Sequence, residues 1–296
     1  MARVLAWAVA LACLAGMLTG AARHAGPAGP GPAAATADGG WTEARLRAAT
    51  SLDGATGSVP GTTRLAAGPS PVRRAAAWTG GAGLSRAVGR IFYSQRGQDF
   101  SCTGVAVRSA NRSTVLTAGH CVNAGPGSYA KDWIFVPGYL DGRRPYGTWR
   151  ASKLAAPTAW VRSGRTQDDV GFAVVAPVRG HRLTDVVGSL PIAFDAPRGA
   201  YVWAFGYPAA APNAGRRALY CRGTVRPDPY RSGSQGLACS MTQGASGGPW
   251  LTMGRDGRPG AVYAVTSFTY RGMAGVVWAP YLGGSARTLY AAMQRR

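Results

Sequence analysis

Thr114-Val115-Leu116-Thr117-Ala118-Gly119-His120-Cys121 carries an apolar, β-branched run straight into a histidine and a cysteine. Its first four residues suit a buried strand, where branched side chains pack well on a pleated surface. The 296-residue chain has three histidines, His24, His120 and His181, and only His120 sits in such a context. Just upstream stand Cys102-Thr103-Gly104 and the apolar stretch Gly104-Val105-Ala106-Val107. Downstream come Asp168-Asp169-Val170-Gly171-Phe172-Ala173 and, much later, Gly244-Ala245-Ser246-Gly247-Gly248-Pro249. Histidine, aspartate and serine in that order supply a general base, an acid that orients it, and a nucleophile.

Outward from this stretch the same texture recurs. Residues 89–93, 133–136, 172–175, 192–194, 201–205, 261–265 and 275–278 are short runs rich in Val and aromatics, separated by Gly, Pro, Asp and Asn. Such spacing without intervening helical periodicity predicts an all-β fold rather than alternating α/β. From residue 84 onward about 210 residues are available, ample for a double core. Two packed barrels would divide near 180–190, barrel one over about 88–180 and barrel two over about 181–285. A closing helix is expected at 285–293, where Leu289 and Met293 share a face.

Ahead of this region the chain reads differently. Arg3, an apolar run over 4–18 and the small residues Gly20, Ala21 and Ala22 have the build of a signal peptide, assigned to 1–22. The run is too short for a membrane span, so the protein is expected to be secreted and extracellular. Residues 23–83 are Ala, Gly, Pro, Ser and Thr with little periodicity, read as a propeptide or a linker. Within them 41–52 could form one short amphipathic helix, and Arg73-Arg74 is a candidate processing site. With Cys13 removed in the signal, Cys102, Cys121, Cys221 and Cys239 remain. An even number in an exported chain points to two disulfides, with three connectivities open and near-neighbour pairing the simplest. Without a Cys-x-x-Cys pair, and with only His120 nearby, a zinc site lacks ligands. No metal or cofactor is therefore expected.

The formal net charge is +21, and only Lys131 and Lys153 of the 33 basic residues are lysines. That excess favours weak attraction to anionic surfaces. The arginines are scattered rather than gathered with aromatics, so no specific nucleic-acid partner is expected, and the chain is expected to be a monomer.

On these motifs the sequence resembles the chymotrypsin superfamily of serine proteases, especially the bacterial secreted trypsin-like and glutamyl-endopeptidase-like branch, over about 88–290. The resemblance implies two six-stranded antiparallel β-barrels and a protein or peptide substrate held in the groove between them. It implies His120 as general base, Asp169 as its orienting acid, and Ser246 as nucleophile. Asp168 stays open as an alternative, because the adjacent pair leaves a one-residue ambiguity. The backbone N–H groups of Gly244 and Ser246 would face the developing oxyanion, and Cys121 would bridge back to Cys102. His181 reads as a surface loop residue and His24 falls in the leader.

Two departures from the family pattern matter. Many animal members carry an aspartate just before the nucleophile to bury the new N-terminal amine; here that position is Ala245. The specificity pocket would be formed by Ser240, Thr266, Ser267, Phe268, Thr269 and Gly275. Ser240 stands where trypsin-like members place an aspartate, so Arg or Lys at P1 finds no countercharge, and apolar and acidic P1 residues both stay open. The reading is a secreted serine endopeptidase acting through an acyl-enzyme. An esterase or amidase with the same triad, or a catalytically silent cleft-binding protein, are the alternatives.

Overall fold

In the computed structural model, which describes residues 40–51, 56–57, 73–254 and 258–296, most of these apolar runs are strands. The expected signal peptide and much of 23–83 lie outside the described residues. Ahead of the barrels come α1 (Glu43–Ala48), the two-residue strands β1 (Thr56–Gly57) and β2 (Ala76–Ala77), and α2 (Ala82–Ala87). The helix expected at 41–52 is thus present but short. Thr42 caps it by accepting the Arg45 N–H, and Leu46 is its buried residue.

The first half is a closed barrel of six strands. They are β3 (Val88–Gln95), β4 (Gln98–Ala106), β5 (Thr114–Thr117), β6 (Lys131–Pro137), β7 (Trp149–Ala155) and β8 (Gly171–Val175), in the order β3-β4-β5-β8-β7-β6. Every pairing is antiparallel. Alternate side chains serve two cores. Ile91, Cys102, Val115, Phe135 and Ala173 pack in one cluster, while Phe92, Val105, Leu116, Ile134 and Phe172 pack in another that also takes in Phe205, Leu251 and Val262 of the second half. Both strand faces are covered, which is why apolar runs such as 133–136 and 172–175 stand in these strands without alternation. Between β7 and β8 lies α3 (Thr158–Ser163), and α4 (Leu183–Val187) follows the barrel.

The second half uses β9 (Tyr201–Gly206), β10 (Leu219–Thr224), β11 (Arg226–Pro227), β12 (Gln235–Ala238), β13 (Pro249–Met253), β14 (Pro259–Val265), β15 (Thr269–Tyr270) and β16 (Val276–Ala279). With β2 they form a five-stranded sheet, β14-β13-β9-β10-β2, and a three-stranded sheet, β11-β12-β16, while β15 pairs with β1. The Cys221–Cys239 disulfide ties β10 to the residue after β12, and Cys102–Cys121 ties β4 to the turn after β5. Each closes a short loop, worth about 3 kcal/mol by chain entropy. The terminal helix α5 (Gly284–Met293) buries Ala286 and Met293, and Leu289 and Tyr290 pack on the shared core.

Residues 192–194, expected as a strand, make only the isolated bridge Ile192–Val262. Conversely, β7 carries Arg150, Ser152 and Lys153 and was not legible as a strand. No helix of the described residues is long and apolar enough to cross a membrane.

Candidate active site

β5 and β8 are neighbours, with Thr117 opposite Gly171. The residues following one and preceding the other therefore meet at the same end of the barrel. After β5 the chain turns through a 3-10 segment, Gly119–Cys121, that carries His120. Before β8 a second 3-10 segment, Thr166–Asp168, delivers Asp169. Asp169 is fully buried. Its Oδ1 accepts the His120 backbone N–H at 2.7 Å, and its Oδ2 lies 2.7 Å from His120 Nδ1. The Ser267 hydroxyl donates to the same Oδ2 at 2.5 Å. Three donors on one carboxylate fix its plane. They also leave Nδ1 as the protonated ring nitrogen, because an ionised carboxylate only accepts. Nε2, the acceptor in that tautomer, is buried without a hydrogen-bond partner among the described residues. Close approach is possible because residue 119 is glycine: a Cβ there would lie 2.8 Å from Asp169 Oδ1.

Asp168 turns elsewhere. Its Oδ1 accepts from Ser285 Oγ at 3.2 Å, and Arg165 Nε lies 3.3 Å from its Oδ2. Asp168 ends the 3-10 turn and Asp169 follows it, so the two side chains leave the chain in different directions. Asp169 is the member of the pair that reaches the histidine. Below the site, Tyr93 donates to the His120 carbonyl at 3.5 Å, and burial, reinforced by the Asp169 charge, pushes its phenol far above the usual range.

The serine loop comes from the second half and is pinned one carbonyl at a time. The Gln243 carbonyl accepts Ala209 N–H at 2.7 Å, and the Ala245 carbonyl accepts Gly248 N–H at 2.9 Å. A trans peptide sends its N–H opposite to its C=O, so these two bonds orient the N–H groups of Gly244 and Ser246. Neither N–H donates to another described residue. The intervening carbonyls are held across the barrel junction by one residue, Thr103: its Oγ1 donates to Gly244 O at 2.8 Å and its N–H to Ser246 O at 2.8 Å. Thr103 Oγ1 in turn accepts Tyr207 N–H at 3.0 Å. Gly244 has φ +88°, and a Cβ there would lie 2.6 Å from the Tyr207 carbonyl, so only glycine fits.

Thr103 holds the Ser246 backbone against the His120 turn, and Cys121 Sγ, bonded to Cys102, lies 3.8 Å from Ser246 O. No hydrogen bond joins His120 Nε2 to the Ser246 hydroxyl. Such bonds are often long in unliganded enzymes and tighten with substrate.

Beside Ser246 opens a cavity of about 590 Å³, lined by the expected Ser240, Thr266, Ser267, Phe268, Thr269 and Gly275, and also by Met241 and Met273. None of its described lining residues is charged. Two of its hydroxyls already have partners: Ser240 Oγ accepts Ala75 N–H at 3.0 Å, and Thr266 Oγ1 accepts Trp250 Nε1–H at 2.9 Å. The Ser267 hydroxyl faces Asp169, and the lining also carries the hydroxyls of Thr242, Thr269 and Tyr270. Sequence reading singled out Cys102-Thr103-Gly104 but gave Thr103 no role, because its partners lie about 140 residues away. Cys102, His120 and Cys121 also bring three potential metal donors within 4.8 Å. Their two sulfurs are bonded to each other, so the thiolates a metal would need are absent from this set.

Residues 102–262 match the family model of the trypsin-like peptidase domain. The chain is 42% identical to a solved structure of the protease Anisep from Arthrobacter nicotinovorans, covering 71% of this chain and 96% of that one with a TM-score of 0.68. It is also 33% identical over 81 residues to a Bacillus subtilis protein named extracellular metalloprotease, and 38% identical over 72 residues to glutamyl endopeptidase of Bacillus licheniformis. These two alignments cover 27% and 24% of this chain. They span about a quarter of the length of those curated relatives, 25% and 22%.

Proposed function

The chain belongs to the trypsin-like peptidase family, with the chymotrypsin fold, and from that premise we propose that it is a secreted serine endopeptidase using His120, Asp169 and Ser246. The observation that carries this reading is the buried Asp169 carboxylate, which takes both the backbone N–H and Nδ1 of His120. A structural histidine has no need of a desolvated acid holding one tautomer with the opposite nitrogen left over. Arranged so, Nε2 accepts the Ser246 proton as Oγ attacks the scissile carbonyl. The oxygen of the tetrahedral adduct then meets the N–H groups of Gly244 and Ser246. Each such donor is worth about 3 kcal/mol in comparable hydrolases. Collapse expels the amine, which takes the proton from His120 Nε2 and leaves an acyl group on Ser246. Water repeats the sequence to free the enzyme.

The two disulfides and the extracellular name of the Bacillus subtilis relative support an exported protein, and the composition of 1–22 is what supports a leader there. The metal implied by the name of the Bacillus subtilis relative is not fitted by the Cys102, His120 and Cys121 set, and no step is routed through one. The uncharged cavity, with Met241, Met273 and Phe268 in its lining, favours uncharged, apolar P1 side chains. The acidic P1 named for the Bacillus licheniformis relative would find no cationic lining residue, only hydroxyl donors such as those of Ser240 and Thr269.

Fluorophosphonate labelling of Ser246, lost in Ser246→Ala, tests the nucleophile. A protein-digestion assay beside an ester assay separates endopeptidase from esterase. Peptides with Phe, Leu, Glu and Arg at P1 test the pocket: Phe and Leu are expected to lead, and preferential Arg cleavage would overturn the pocket assignment.

A further inference from the structure

Residues 40–51 and 56–57 precede the barrels, yet they touch both walls of the cleft. The anchor is Trp41, fully buried, with its indole N–H donating to Asp132 O at 2.7 Å. Arg45 lies over the Trp41 ring at 4.0 Å and forks onto both oxygens of Asp99 at 2.7 and 2.9 Å. Beyond α1, Thr50 donates its N–H to Asp99 O at 3.0 Å and accepts Ser101 N–H at 2.7 Å, a parallel pairing on β4. The Ser51 hydroxyl lies 3.2 Å from Ser101 Oγ and only 2.8 Å from where a Gly244 Cβ would project. It therefore sits against the loop that presents the Gly244 and Ser246 N–H groups. Five residues on, β1 pairs in parallel with β15, Thr56 opposite Thr269 and Gly57 opposite Tyr270. Both partners line the cavity beside Ser246. Ser246 and His120 are 5% and 6% exposed.

We infer that this arm is a built-in inhibitor that occupies the cleft in the direction opposite to a substrate. The inference rests on the hydrolase reading above. The direction follows from the chemistry. The acyl half of a substrate puts its P1 side chain in the cavity. Its preceding residues then move away from Ser246 along Ser267, Thr269 and Tyr270, antiparallel to that segment. The leaving amine departs toward His120, on the side of the first barrel that carries Phe100 and Ser101. A substrate therefore has its N-terminal half at Thr269 and its C-terminal half at Ser101.

The arm has the reverse. Thr50 and Ser51 lie at Ser101, Thr56 and Gly57 lie at Thr269, and both pairings are parallel. A carbonyl presented in that sense has its amide nitrogen on the cavity side, away from the proton on His120, so the C–N bond is not cleaved. Pairing through main-chain atoms at two strand edges binds an extended segment with little demand on its sequence. An arm made largely of small residues can fill that role.

The test uses the full-length chain, its mass verified, and reads the rate at which fluorophosphonate labels Ser246. Wild type is expected to label slowly. Arg45→Ala removes the Asp99 fork, and Thr50→Pro removes the N–H on Asp99 O; each is expected to label at least tenfold faster at unchanged mass. Incubated wild-type chain is expected to show no cut within 50–57. Wild type labelling as fast as both variants would overturn the inference. So would a cut inside 50–57 that disappears in Ser246→Ala, since that would mean the arm lies in the substrate direction. If chain that has shed its N-terminal segment also fails to label, the hydrolase reading falls instead.

Discussion

Replacing Thr103 by valine keeps the shape of the side chain and removes one hydroxyl. That hydroxyl donates to Gly244 O and accepts Tyr207 N–H, both within buried surroundings. Thr103→Val leaves two backbone groups without partners, each costing about 1–3 kcal/mol. A loss of roughly 2–6 kcal/mol in stability is expected, or about 4–24 °C in Tm for a domain of this size. The catalytic effect is separable. The other three carbonyls of the loop keep their donors, so the Gly244 N–H is loosened rather than lost. The ceiling is the full loss of one oxyanion donor, about 10²–10³ in kcat, and a tenfold fall in kcat with KM within a factor of two is the expected outcome. Thr103→Ser restores the hydroxyl and should recover most of the rate. The assay is steady-state hydrolysis of a P1 Phe or Leu peptide, normalised to labelled Ser246, beside thermal melts of all three proteins. If Thr103→Val melts lower yet keeps its kcat per labelled site, the threonine is only structural and the positioning argument fails.

Other outcomes follow from the same geometry. Gly244→Ala forces φ +88° on an L side chain and drives Cβ to 2.6 Å from Tyr207 O; kcat should fall by about 10² or more, with unaltered kcat refuting the role of that peptide. Ser267→Ala removes one of three donors to Asp169. It is expected to lower kcat several-fold without changing P1 preference in a peptide panel, and a changed preference would mean the hydroxyl faces substrate. Replacing Cys221 and Cys239 by serine opens an 18-residue separation, and a loss near 3 kcal/mol should lower Tm by about 6–12 °C; an unmoved melt would refute that estimate.

Arm docking should also depend on pH. The Arg45 fork, opposed by desolvation and aided by Ser94, holds the Asp99 carboxyl below the usual carboxylate range. Asp132, 4.0 Å from Arg45 and 3.7 Å from Arg150, is the other charged neighbour. A depressed pKa in the docked form favours docking above about pH 3.9, where the free carboxyl is already ionised. That contribution is lost as pH falls through the lower docked value. Proteolytic accessibility of the arm should therefore rise below about pH 4 in wild type and show no such step in Asp99→Asn, a flat wild-type profile refuting the link.

The all-β architecture was legible because barrel strands covered on both faces are rich in apolar and β-branched residues, as 114–117 and 172–175 are. The apolar-run signal failed on β7, where Arg150, Ser152 and Lys153 reach solvent, and on 192–194, where an apolar run covers the core without joining a ladder. The motifs that make His120 and Ser246 candidates were legible because their flanking glycines and cysteine are chemically demanding. Local pattern could not decide between Asp168 and Asp169, since both sit in the same six residues.

What the sequence determined by itself was chemistry: which side chains could act as base, acid and nucleophile, which cysteines were left to pair, and that strands dominate. What tertiary structure decided was direction and company. It turned Asp169 toward His120, gave Ser267 to that carboxylate, let Thr103 hold two carbonyls some 140 residues away, and ran the N-terminal arm against β4 and β15. Those outcomes depend on which atoms of distant segments come within about 3 Å, the range in which a hydrogen bond forms. Residue identity alone carries no such distance.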